Sequence, residues 1–454
     1  MSTTARGTAS AADHGNRSAM DRFLGLFADV RSGEGVTALL LMLNIFLILA
    51  GYYLLKTIRE PLILASPGGA EAKSYAAAAI AALLIVLVPA YSALASRVSR
   101  VKLINGVTLF FIVCLVAFFV LSQAHVDVGV AFFIWVGIFN LMVIAQLWAF
   151  ANDVYTVDQG KRLFAIVGVG ASLGAIAGSF FTGKLVSQFG PYPFMVAAAV
   201  LLALCMVLTN LIDRRERREA ERGEGATEGD LKAGDPVKGR SGFALVFADR
   251  YLLLIGLLML VYNLVNTTGE YILGKTVISL YAAHHPGAVG GLDEKKVIGE
   301  FYGNYFTWVN IISALIQAFL VSRILKYLGV RAAILILPIV AFGGYLTMAF
   351  VPILALIRGV KITENSIDYS LQSTAKNALY LPTSREAKYK AKQANDTFFV
   401  RFGDVVSAGL VFAGTTWLHF APRQFALANV VLIVLWIGLA IAIGKRFQAM
   451  SKTT

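Results

Sequence analysis

The chain has 454 residues, of which 57% are hydrophobic and 15% charged, and its mean hydropathy is +0.70. So much apolar surface excludes an ordinary soluble globule and implies a polytopic membrane protein. The formal net charge of +13 reads as membrane topology rather than nucleic-acid binding, because the Lys and Arg residues gather in short loops between apolar runs. Cys114 and Cys205 stand alone in mid-run and the five histidines show no ligand spacing, so no disulfide framework, metal site or cofactor is indicated.

Residues 1–35 are polar and of mixed charge, and no Ala-x-Ala-like cleavage site follows the first apolar run, which is expected to stay as a membrane span. At about 20 apolar residues per span, the first half divides into Val36–Arg59, Lys73–Ala95, Val101–Gln123, Val128–Ala151, Lys161–Val186 and Pro191–Ile212. The charged, Gly-containing stretch from Asp213 to Asp249 cannot bury enough surface to fold alone and reads as a linker. The second half then gives Tyr251–Lys275, Val297–Arg323, Arg331–Phe350, Pro352–Lys376, Lys390–Leu418 and Gln424–Lys445. The expected domains are a segment 1–35, a six-helix half 36–212, a linker 213–249, a six-helix half 250–447 and a tail 448–454.

Basic residues cluster on alternate loops: Arg97, Arg100 and Lys102; Lys161 and Arg162; Arg323, Lys326 and Arg331; Arg385, Lys388, Lys390 and Lys392. With an even number of spans this places both termini and the linker in the cytoplasm, in a multi-pass protein of a bacterial inner membrane. The basic loops SRVSRVKL at Ser96–Leu103 and SRILKYLG at Ser322–Gly329 follow the second span of each half, which supports a duplicated architecture with a site near the midplane. An all-α polytopic fold of about 12 transmembrane helices in two six-helix halves resembles the major facilitator fold.

Charge inside these spans marks candidate binding residues, since a Lys or Arg at a bilayer centre costs roughly 2.5–3.5 kcal/mol on insertion scales. In GYYLLKTIREPLILA, Lys56, Arg59 and Glu60 interrupt the first span and apolar sequence resumes after Pro61. A buried anion site is one reading and interfacial snorkelling the other. At the exit of the fourth span stand Asn152 and Asp153, with Asp158 placed to cap the fifth helix. Gly170, Gly174 and Gly178 share one face of that helix and favour close packing.

The seventh span carries Asn263, Asn266, Thr267, Thr268, Glu270 and Lys275. As the second half's counterpart of the first-span interruption, it points to a transporter's central site. Gly269–Thr276 satisfies the phosphate-loop pattern GxxxxGK[ST] but lies inside an apolar run, so that reading is rejected. In the tenth span Lys361, Glu364 and Asp368 fall on one helix face and should face a water-filled cavity. The eleventh begins with Lys392 and carries Arg401 and Asp404, an ion pair or a substrate contact. No nucleophile–base pair supports an enzyme.

The stretches KTIREPLIL…GGAEAKSY, WAFANDVYTVDQGKRLFAIVGVGA and KNALYLPTSREAKYKAKQANDT resemble the nucleotide transporters of the ATP/ADP translocase type found in plastids and obligate intracellular bacteria. The resemblance implies exchange of a nucleoside triphosphate for a diphosphate, with basic residues on the phosphates. Arg59 takes the place of the family's first-helix lysine and Lys392 falls on its helix 11 lysine. Val136 and Asn266 stand where the family carries glutamates, with Glu270 one turn beyond Asn266. The reading implies that Arg59, Lys275 and Lys392 bind an anionic substrate and that Glu60, Glu270 and Asp404 hold them when it is absent. A lipid bilayer and a nucleotide or other anionic small molecule are the expected partners, with a monomer as the expected state and with proton-coupled transport of another anion, or a non-transporting membrane partner or sensor, as alternatives.

Overall fold

The computed structural model describes residues 30–31, 34–95, 97–155, 157–221, 241–287, 290–384 and 386–453. Among them are helices and no strands. The first half comprises α1 (Glu34–Leu64), α2 (Gly69–Ala95), α3 (Arg100–Gln123), α4 (Gly129–Val154), α5 (Val157–Phe189) and α6 (Pro193–Glu221). After a short α7 (Gly242–Ala248), α8 (Arg250–His284) opens the second half, followed by α9 (Leu292–Phe319), α10 (Val321–Tyr327), α11 (Gly329–Phe350) and α12 (Leu354–Ile367). The remainder is α13 (Ser373–Ala378), α14 (Lys392–Ala394), α15 (Val400–Phe412) and α16 (Pro422–Thr453). Four π-helical turns, Asp368–Gln372, Ala387–Ala391, Asn395–Phe399 and Ala413–Trp417, punctuate the stretch from α12 to α16.

Among the described residues ten helices are long and apolar enough to cross a membrane, or eleven when α9 and α10, bent by 44° at their junction, count as one span. The expected tenth span, α12 to α13, is too polar to pass on composition, so twelve crossings are not reached by this measure. The linker is partly helical at its edges. Helix α6 continues past Ile212 to Glu221, and Ser241 caps α7 by accepting from the Ala244 amide at 3.3 Å.

Small residues set the close approaches. A Cβ on Gly170, Gly174 or Gly178 would lie 2.4, 2.3 and 2.3 Å from the carbonyl oxygens of Met42, Phe46 and Ala50, so the expected glycine face lets α5 lie directly on α1. At the start of both helices Arg162 donates to both Glu34 carboxylate oxygens, at 2.8 and 2.9 Å. The first turn of α5 holds Asp158, whose side chain lies outside the described residues.

The halves meet along α5 against α9 and α2 against α15. Both seams are tightest at the end where α1 finishes. There Gly183 of α5 abuts Gly303 of α9, and Tyr75 packs edge-on to Phe412 at 6.4 Å. Toward the end where α1 begins the seams part around two cavities. One, of about 450 Å³, lies among α1, α4, α5 and α9; the other, of about 680 Å³, separates Ala81–Pro89 of α2 from residues 390–405.

Candidate functional site

Lys56 stands in the last third of α1, on the wall of the 450 Å³ cavity. Its ammonium donates to the Tyr369 hydroxyl at 3.1 Å and lies over four ring faces, with centroids at 4.5 Å (Phe306), 5.0 Å (Tyr53), 5.2 Å (Tyr369) and 5.9 Å (Tyr52). Cation–π attraction strengthens as the cation loses water, and Lys56 is only 7% exposed. It therefore sits in a protein-lined cage rather than snorkelling to an interface. No carboxylate of the described residues pairs with it. The remaining wall is neutral: Asn140, Ser172, Asn310, Ser313 and Gln317 among aliphatic residues.

Beyond Lys56, toward the closed end, runs a chain of buried ion pairs. Arg59 Nε reaches Glu60 Oε1 at 3.1 Å, with its guanidinium over Phe133 at 4.5 Å. Glu60 Oε2 receives Lys73 Nζ at 2.7 Å, and Lys73 crosses to the second half at Glu270 Oε2, 3.5 Å away. Glu270 Oε1 is 3.7 Å from Lys361 Nζ, which holds Glu364 Oε2 at 2.8 Å and donates to Asn266 Oδ1 at 2.9 Å. Asn365 and Tyr305 also donate to Glu270, at 3.1 and 3.2 Å, and Tyr345 donates to Glu364 at 3.2 Å. A second crossing lies nearby, where Glu71 of α2 accepts from Lys275 at 2.7 Å and Tyr271 at 3.0 Å. The buried carboxylates in this low-dielectric setting persist because each is paired with a cation.

Several expected arrangements differ from this geometry. Glu270 holds Lys73 and Lys361 rather than Lys275, whose partner is Glu71. Asp404 holds Arg401 at 3.1 Å and accepts from Asn263 and Thr267 at 2.7 and 3.0 Å. Lys392 instead pairs with Asp396, one turn along, at 3.0 Å. The tenth-span stripe does not face a water-filled cavity: Lys361 and Glu364 are buried in the ion-pair chain, and Asp368 accepts from Tyr262 and pairs with Lys376 at 3.4 Å. Asn152 and Asp153 lie exposed at the end of α4, where Asp153 pairs with Arg100 at 3.1 Å. Gly269 to Thr276 is continuous helix within α8, not a phosphate loop.

Lys56, Arg59, Glu60, Asn266, Glu270, Lys361 and Glu364 are thus brought together, whereas Asn152, Asp153, Lys275, Lys392, Arg401 and Asp404 stand outside the connected chain. Sequence reasoning overlooked Glu71, Lys73 and the rings around Lys56. Lys73 had a signal, a charge at the entry of an apolar run inside the GGAEAKSY stretch. The aromatic residues had none, because rings in an apolar span read as core.

The family model for the Major Facilitator Superfamily matches residues 37–362. The chain is 24% identical to an ADP,ATP carrier protein 1 of Chlamydia pneumoniae, over 69% of this chain and 66% of that protein. It is 22% identical to an ADP,ATP carrier protein 1 of Rickettsia bellii, over 69% of this chain and 68% of that protein. The match to the first of these relatives thus spans just under two thirds of that carrier's length. Among solved structures, the nucleoside transporter NupG aligns with a TM-score of 0.61 at 13% identity, covering 91% of this chain and 99% of that one. A bacterial homologue of the human lysosomal transporter Spinster, solved inward-facing and unoccupied, aligns at 0.58 and 12% identity, covering 91% and 98%. These likenesses bear out the expected resemblance and fold, and they set the chain among transporters rather than enzymes.

Proposed function

This chain belongs to the Major Facilitator Superfamily, and we propose that within it the protein exchanges nucleotides, of the ATP/ADP kind named by its relatives, across a cytoplasmic membrane. The observation that carries the reading is the 450 Å³ cavity whose lining includes a single charged residue, Lys56, one turn from Arg59 and Glu60. A cavity of that size falls in the range of about 300–1,000 Å³ typical of small-molecule sites. A caged ammonium with no carboxylate of its own offers phosphate oxygens a strong, desolvated partner.

In this reading substrate enters from the end where the seams part, which the basic loops place on the cytoplasmic side. The halves then rock about the bound anion. Lys73–Glu270 and Lys275–Glu71 hold the far end shut and separate when that end opens. An empty cavity leaves the Lys56 charge uncompensated, so reorientation is favoured with an anion aboard, and exchange rather than uniport follows.

Uptake of labelled ATP into proteoliposomes, with and without ADP inside, tests this. Stimulation by internal ADP is the expected result, and it should vanish in Lys56→Met. Uptake that ignores internal nucleotide and follows a pH gradient would instead favour proton coupling. That second reading has one observation behind it: Glu364 is buried and its Oε1 has no hydrogen-bond partner among the described residues.

A further inference from the structure

We infer that the central cavity selects an anion bearing one phosphoryl group beside a planar ring, of which a nucleoside monophosphate is the simplest example, over the corresponding di- and triphosphates. The inference rests on the nucleotide reading above and departs from it only in phosphate number: ATP and ADP are then exchanged as weaker substrates of a site that prefers one phosphate.

Charge count is the first argument. In the connected chain, Arg59, Lys73 and Lys361 face Glu60, Glu270 and Glu364, one cation for each carboxylate, at 2.7 to 3.7 Å. These cations are committed. Drawing one of them onto a second or third phosphate would strand its carboxylate in a buried site, where an unpaired charge is far more costly than the original pair was favourable. Among the described residues of this cluster Lys56 is the one cation left over, and it lies on the cavity wall.

The second argument is how Lys56 is kept. Four ring faces and the Tyr369 hydroxyl hold its ammonium without supplying negative charge. The quadrupole of each face attracts the cation, yet the cage leaves its charge uncompensated and open to an incoming oxyanion. The same rings flank the place where that oxyanion would bind, and an aromatic face stacks on a planar ring as readily as it holds a cation.

The rest of the wall provides the third argument. Asn140, Asn310 and Gln317 offer carboxamides, and Ser172 and Ser313 hydroxyls. These neutral donors and acceptors suit a sugar and a heterocycle edge, but a pyrophosphate tail placed among them would bring added charge with nothing to neutralise it.

The test is calorimetric binding to the purified full chain in nanodiscs, in magnesium-free buffer at fixed ionic strength, with AMP, ADP, ATP, adenosine and ribose 5-phosphate as probes. AMP is expected to bind roughly tenfold or more tighter than ATP, with ADP between them and with adenosine and ribose 5-phosphate each weaker than AMP. Lys56→Gln should bring AMP down to the adenosine level, whereas Lys56→Arg should retain it. Should Lys56→Gln fail to fold, the ligand ranking on the unmodified protein and the Lys56→Arg result still decide the matter. ATP or ADP binding as tightly as AMP would overturn the single-phosphate assignment and leave the nucleotide reading standing. Ribose 5-phosphate matching AMP would overturn the ring requirement, and no binding of any nucleotide would overturn both readings.

Discussion

The contact between Gly183 and Gly303 gives the sharpest handle on how the halves move. A Cβ on Gly303 would lie 2.2 Å from Gly183 Cα, 2.6 Å from its nitrogen and 3.2 Å from the Ser179 carbonyl. All three are backbone atoms, so no rotamer change relieves the clash and the helices must separate. A Cβ on Gly183 is better tolerated, with its nearest atoms at 3.0 Å. Overpacking a well-fitted contact costs about 1–3 kcal/mol. On the reading that α5 and α9 part here when this end opens, Gly303→Ala should raise the open-end population by about fivefold to 150-fold, and Gly183→Ala by less. Val186, which is 0% exposed and against which a Cβ on Gly299 would lie at 2.9 Å, is the reporter. In a background with Cys114 and Cys205 replaced by Ala, Val186→Cys should react with a membrane-impermeant maleimide faster when Gly303→Ala is added. An unchanged labelling rate in a variant that melts normally would refute the idea that this seam is a closure.

Other perturbations follow from the ion-pair chain. Lys361→Met leaves Glu364 buried with its cation gone and should destabilise the protein by about 3–5 kcal/mol, read as a lowered melting temperature; adding Glu364→Leu should recover most of the loss. Tyr345→Phe removes the hydroxyl that donates to Glu364 and should cost about 1–3 kcal/mol by the same measurement. Lys275→Ala breaks a crossing whose lysine is 39% exposed, so a stability change within about 1 kcal/mol is expected. Asp153→Asn, exposed and far along α4, should leave nucleotide uptake at the unmodified level, and a large loss would reassign that end of the helix.

Helix positions were legible because membrane spans are long and their apolar signal is summed over many residues. The glycine face of α5 was equally readable, since spacing alone puts Gly170, Gly174 and Gly178 together. Partnership was not. Glu270 and Lys275 are neighbours in sequence, but their partners, Lys73, Lys361 and Glu71, come from helices whose relative placement no local pattern encodes. The stripe in α12 was read as facing water because its own helix could not reveal Tyr345 and Asn266 approaching from α11 and α8. Lys56 was found because charge in an apolar run is conspicuous; its cage was missed because Tyr52, Tyr53, Phe306 and Tyr369 look like packing until the fold gathers them.

The π turns bear on where the molecule deforms. All four lie between Asp368 and Trp417, and none occurs among the described residues of α1 to α6. A π turn is wider than an α turn and strained in its hydrogen bonding, so it is a place where a helix yields to load. The two halves then form an unequal pair, a stiff jaw built on the α1–α5 glycine face and a compliant jaw that absorbs the bending. Amide hydrogen exchange should accordingly quicken along residues 368–417 when the protein cycles, while α1 and α5 stay protected.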